Sequence, residues 1–169
     1  MEREQMKSIS ELRSHVDEVE IVAMPEVMLI GKEIRYGGTL EFLGNRAPEL
    51  WQVCIEDGSL EVLRKLPSLI PDALIGWNGN FTKEDGTFSY IVGAFVPRAT
   101  PVPCGFACRI LPATLVAKGI YDTGYAMVET YKSRGYTQNY DLLGWNGELY
   151  FKDDPCPTKW SQLTPVKKA

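Results

Sequence analysis

The sequence predicts an α+β fold: duplicated β-β-α-β-β units form a curved antiparallel sheet, with helices on one face and a ligand groove at the pseudo-twofold axis. Three observations predict it. First, Leu142-Leu143-Gly144-Trp145-Asn146-Gly147-Glu148-Leu149-Tyr150 repeats Leu74-Ile75-Gly76-Trp77-Asn78-Gly79-Asn80-Phe81 almost residue for residue. Second, the stretches 74–97 and 142–165 align without a gap at a constant offset of 68, which also matches Asp85 to Asp153 and Pro97 to Pro165. Third, Lys32/Lys118, Ile34/Ile120 and Gly38/Gly124 match upstream at an offset of 86, so the first copy is the longer in its helical segment. One such unit cannot bury both faces of its strands, whereas two side by side can.

The elements follow from local pattern. Met6, Ile9, Leu12 and Val16 recur at three- and four-residue spacing between charges, which predicts an amphipathic helical extension over residues 1–18. The first repeat is placed at 19–98. Val19 to Arg35 is rich in β-branched residues and is split into two strands by Pro25. Pro48 suits the first turn of a helix, where its missing donor costs nothing, with Leu50, Trp51, Cys54 and Ile55 as the apolar stripe. Ser59 is expected to cap a second helix that buries Leu60, Leu63 and Leu66 and stops at Pro67. Strands over 72–82 and 87–96 are joined by Lys83-Glu84-Asp85-Gly86, whose Asp-Gly pair is a hairpin signal. The second repeat, 106–166, reads as a strand pair broken at Pro112, a helix over 125–134 closed by Gly135, and a hairpin of strands 140–151 and 159–166. Together the repeats make one domain over 19–169.

Composition narrows the function. The 169 residues are 44% apolar and 24% charged, as in ordinary globular chains, and the net charge of -4 offers no basic footprint for nucleic acid. No apolar run reaches the roughly 18 residues of a membrane span, and Met1 to Gln5 lacks a signal-like apolar region, so a cytoplasmic location is expected. Cys104 and Cys108 have no second pair downstream, and the single histidine, His15, is remote, so neither a metal site nor a cofactor is expected. Histidine-based nucleophilic triads are excluded on the same ground.

The candidate chemistry lies in the second repeat. Glu148 is an acid in an apolar, aromatic run, where the first copy has the neutral Asn80. Residues two apart on a strand share a face, so Asn146, Glu148 and Tyr150 point the same way. With Trp77, Tyr90, Trp145 and Tyr150 around it, Glu148 would form a carboxylate in an aromatic pocket. Desolvation would raise its pKa, and a bound cation would offset that cost while the rings add cation-π attraction. The same carboxylate would also serve as a general base. A glutamate on the solvent face of an edge strand is the bland alternative, as is a purely structural role for the two tryptophans.

Several motifs in order resemble the GyrI-like family, the small-molecule-binding domain also found as the effector-binding part of AraC- and MerR-type transcription regulators. Met24-Pro25 and Leu111-Pro112 stand before paired strands ending at Gly38 and Gly124. Tyr90-Ile91-Val92-Gly93 resembles the family's Tyr-x-x-Gly strand, Val102-Pro103-Cys104-Gly105-Phe106 its linker, and Glu148-Leu149-Tyr150 its Glu-x-Tyr hairpin. The resemblance spans about residues 19–166. It implies that Glu148 is the pocket carboxylate, with Tyr90 and Tyr150 as contacts; Trp77 and Trp145 are ligand candidates from the repeat alone. The sequence has no helix-turn-helix signature, so it is similar to stand-alone members, without direct nucleic-acid or membrane binding. Two functions are implied. One is a module that binds hydrophobic, often cationic, small molecules. The other is a hydrolase of strained electrophiles that uses Glu148 and Tyr90. Inhibition of a partner protein is the remaining expectation.

Overall fold

The structure, a computed structural model, describes residue 9 and residues 19–37, 46–120, 124–142, 144–152 and 161–169. The helix expected over residues 1–18 lies outside the described residues, apart from Ile9, which is buried in the core. The strands are β1 Glu20–Met24, β2 Val27–Gly37, β3 Ala73–Gly79, β4 Thr87–Val96, β5 Ala107–Leu111, β6 Thr114–Ile120, β7 Tyr136–Gln138, β8 Asn146–Phe151 and β9 Ser161–Lys168. The helices are α1 Ala47–Glu56, α2 Ser59–Arg64 and α3 Gly124–Ser133.

All strands join one curled antiparallel sheet in the order β1-β6-β9-β8-β3-β4-β2-β5, with β7 paired to β9. The order is symmetric about the β8–β3 contact. Each half carries at its outer edge the first strand of the other: β1 pairs with β6, and β5 pairs with β2. This exchange ties the halves together along the whole sheet.

Alternation divides the side chains into two layers. Val22, Leu29, Ile75, Trp77, Ile91, Leu111, Val116, Trp145, Leu149 and Leu163 form one cluster that draws on eight strands, which requires the sheet to curl around it. On the outer face, α1 and α2 cover β2, β3 and β4 through Leu50, Cys54 and Leu63 packed against Met28, Ile30, Leu74 and Val92. Farther along that face, α3 covers β6 and β9 through Met127 and Tyr131 against Ala117 and Val166. Between these helix-covered areas the outer face of β8 and β3 is left open.

Several local expectations are corrected. Pro25 and Pro112 each sit in a two-residue link, between β1 and β2 and between β5 and β6, so these strands correspond at a shift of 87 rather than 86. The one-residue slip matters because it exchanges the faces. Lys118 is fully buried on the inner side. Lys32, by contrast, lies over the Phe106 ring on the outer side and donates to the Gly105 carbonyl. Ser59 starts α2 without capping it; the Asp57 carboxylate accepts from the Ser59 N–H, after Gly58 has turned the chain at positive φ. Ile55 is 59% exposed and belongs to no apolar stripe. Strand β3 ends at Gly79, and Asn80 at φ 55 begins the turn. The strand expected from Tyr140 starts only at Asn146, and β7 is an additional three-residue strand too short to show a period.

Candidate functional site

The open outer face of β8 and β3 is the floor of a cavity of about 760 Å³, within the usual range for small-molecule sites. Register determines what faces it. In β8 and β3, Tyr150 pairs with Leu74, Glu148 with Gly76 and Asn146 with Asn78, all on the outer side. Gln162 of β9 flanks Glu148 on the other strand. From the first half come Tyr36 and Phe88, a cross-strand pair with ring centroids 4.6 Å apart, and Tyr90. Helix α1 supplies Ala47, Pro48 and Trp51 as one wall, and Phe81 reaches in from the turn.

Glu148 is the only charged residue among the described residues that line the cavity. Burial raises its pKa above the ordinary carboxylate value, and the hydrogen bond from Tyr150 pulls it partly back. The Tyr150 hydroxyl donates to Glu148 Oε2 at 2.6 Å, a length typical of donation to an ionised carboxylate. Tyr90 and Tyr150 are also hydrogen-bonded to each other. The Trp51 indole N–H in turn donates to Tyr90 Oη at 2.9 Å. A chain of polarised bonds therefore runs from Trp51 through Tyr90 and Tyr150 to Glu148. Burial is the main cause that pushes the two phenols well above their ordinary pKa, with the nearby Glu148 charge adding to it. Both stay protonated across the physiological range.

The wall is fixed to the floor at two points. The Trp51 ring packs on Tyr150 with centroids 4.7 Å apart, besides its bond to Tyr90. One turn earlier, the Ala47 N–H, unsatisfied within α1 because it opens the helix, binds the Tyr36 hydroxyl. Gly76 makes the arrangement possible from below: a Cβ there would overlap the Tyr90 hydroxyl and press on Tyr150.

The structure brings Glu148, Tyr90 and Tyr150 together in the cavity. It does not bring Trp77 and Trp145 there, and this corrects their selection as ligand candidates. Trp77 is an odd-numbered neighbour of Ile75, and Trp145 of Leu149, so both indoles enter the inner core, where both are fully buried. Trp145 meets Phe95 edge-on at 6.2 Å, and the Trp77 ring folds over Gly79, where a Cβ would collide with it. Sequence reasoning missed Trp51, Tyr36, Phe88, Asn78 and Gln162 as lining residues. Alternation alone could have found Phe88, two residues before Tyr90. Trp51 carried no such signal, because its position depends on how α1 sits on the sheet.

No family model and no curated protein matches the chain by sequence. Solved structures do match it. One is a candidate bacterial transcription regulation protein from Staphylococcus aureus MU50, 14% identical with a TM-score of 0.67 over 89% of this chain and 98% of that one. Another is SAV2435 bound to tetraphenylphosphonium, 14% identical with a TM-score of 0.67 over 89% of this chain and 94% of that one. A third is a hydrolase encoded by lin2189 from Listeria innocua, 11% identical with a TM-score of 0.56 over 96% of this chain and the whole of the other. At these identities the similarity establishes the shared fold alone. Among the described residues no helix is long and apolar enough to cross a membrane, and no group of three or more His, Cys, Asp or Glu could hold a metal ion.

Proposed function

We propose that this protein is a small-molecule-binding module of the GyrI-like type, with repeats over 19–98 and 106–166, whose ligand is a lipophilic cation held in the outer cavity. One observation carries the reading: a half-buried carboxylate, Glu148, is the single charge among the described residues of a cavity otherwise lined by rings, amides and small residues. Leaving that charge desolvated is costly, and a cation placed over the aromatic walls offsets the cost. The fold likeness to a protein bound to tetraphenylphosphonium supports the same reading. The net charge of -4 supports a role without direct nucleic-acid contact and favours uptake of cations. Isothermal titration with tetraphenylphosphonium and with neutral triphenylphosphine oxide tests it. Saturable binding of the cation alone is expected; equal binding of both would remove the role of charge.

A second reading rests on the hydrogen-bond chain. A carboxylate joined to two protonated phenols is suited to acid–base work, with Glu148 taking a proton from water and Tyr90 giving one to an opening ring. The likeness to a Listeria innocua hydrolase fits this alternative. Incubation with epoxides and other strained electrophiles, followed by mass analysis, separates the two readings. A compound that gains the mass of water supports the hydrolase, and intact recovery throughout supports the binding module.

A further inference from the structure

Asn78 and Asn146 stand directly opposite each other on β3 and β8 and both line the cavity. Asn78 Nδ2 donates to Asn146 Oδ1 at 3.2 Å. Each side-chain amide has one carbonyl and two N–H groups. A single bond between them therefore leaves the Asn78 carbonyl and the Asn146 amino group without a partner among the described residues, side by side at the cavity floor. Gln162, beside Glu148, adds a third amide to this end. Tyr150, with Trp51 packed on it, lies toward the far end of β8, and Tyr36 and Phe88 flank the pair from β2 and β4.

A ligand that is only rings and charge would cover this pair with apolar surface and lose its hydration without return. A ligand with adjacent donor and acceptor would instead complete both amides. Asn146 and Glu148 are two residues apart on one strand and face the same way, so amide and carboxylate are separated by about 7 Å. We propose that the ligand this cavity is built for is an aromatic cation bearing a planar carboxamide or lactam about 7 Å from its charge. The charge sits at Glu148, and the amide edge lies across Asn78 and Asn146. This rests on the cation-binding reading given above and adds the second recognition element to it.

The test compares three cations by isothermal titration: 4-(trimethylammonio)benzamide, phenyltrimethylammonium, which lacks the amide, and tetraphenylphosphonium. The benzamide is expected to bind the wild-type protein about tenfold tighter than phenyltrimethylammonium, the value of two good neutral hydrogen bonds. Asn78→Leu and Asn146→Leu should each erase that advantage, and tetraphenylphosphonium, which no longer has to strip water from the amide pair, should bind each variant more tightly than wild type. Equal affinities of the two ammonium probes for wild type overturn the amide subsite and leave the cation reading standing. An advantage that survives in both leucine variants overturns it as well. Failure of all three cations to bind overturns the cation reading and this inference together. The wild-type comparison does not depend on the variants, whose folding is checked by thermal melts.

Discussion

Asn78 and Asn146 are at once hydrogen-bonded partners and repeat equivalents: the 68 residues between them are the offset of the two Gly-Trp-Asn-Gly stretches. A residue that pairs with its own equivalent lies on the axis relating the halves. The pseudo-twofold axis therefore passes through this amide pair and out through the cavity. Away from the axis the halves diverge, and Glu148 stands where the first half has Asn80. Asn80 turns aside at positive φ to accept from Arg109. The cavity is thus symmetric in its floor and asymmetric in its charge.

Cation affinity should depend on pH in one direction. Burial raises the Glu148 pKa, so protonation neutralises the site as pH falls through that raised value, and affinity falls with it. Titrations with tetraphenylphosphonium from pH 8 down to pH 4 should show this loss, and Glu148→Gln should give a flat, weak profile. A wild-type affinity constant across the range would show that the carboxylate does not sense the ligand.

The same shift makes a stability prediction with the sign worked through linkage. A carboxyl whose folded pKa lies above its unfolded value binds more protons in the folded state between the two, so stability drops as pH rises through that window. Above it, the ligand-free protein bears the cost of an ionised, half-buried Glu148. Glu148→Gln should therefore raise the melting temperature at pH 7 and give no gain at pH 3. Thermal melts at the two pH values check this.

Gly76→Ala places a methyl group against the Tyr90 hydroxyl. Tyr90 must move, and its bond with Trp51 is lost. The expected cost is about 1–3 kcal/mol, in the range of overpacking substitutions, with weakened ligand binding as a second effect. Chemical denaturation and titration of the same variant measure both.

Among the three described tryptophans, Trp51 should dominate any ligand-dependent fluorescence change, because it packs on Tyr150 in the cavity wall while Trp77 and Trp145 are sealed in the core. Trp51→Phe should abolish most of the quenching and cost about 1 kcal/mol for the donor removed from Tyr90. Trp145→Phe should keep the quenching and lower stability instead. Paired titrations of the two variants decide between these assignments.

Much of this architecture was legible in the sequence because duplication and alternation are both written in residue spacing. The 68-residue offset anticipated two like units side by side in one curved antiparallel sheet, and alternation along Asn146–Tyr150 placed Glu148 beside Tyr150, where the structure has them bonded. The tryptophans were misplaced by ignoring that same alternation, since Trp145 and Glu148 are three apart and must face opposite ways. The 86-residue match of Lys32 to Lys118 was a coincidence of composition that the two proline links correct by one residue. Trp51 and Tyr36 could not be placed from spacing at all. Their contacts with Tyr90 and Ala47 depend on how α1 docks across β2 and β4, a tertiary outcome with no local period.

The most direct test of the central claim is the tetraphenylphosphonium affinity of wild type and Glu148→Gln, measured side by side at pH 7.5. If Glu148 is the counter-charge of a cation site, the substitution weakens binding roughly 10- to 100-fold, the range for hydrogen bonds and contacts to a charged group, with the fold and the Trp51 signal retained. Equal affinity in the two proteins would contradict the account.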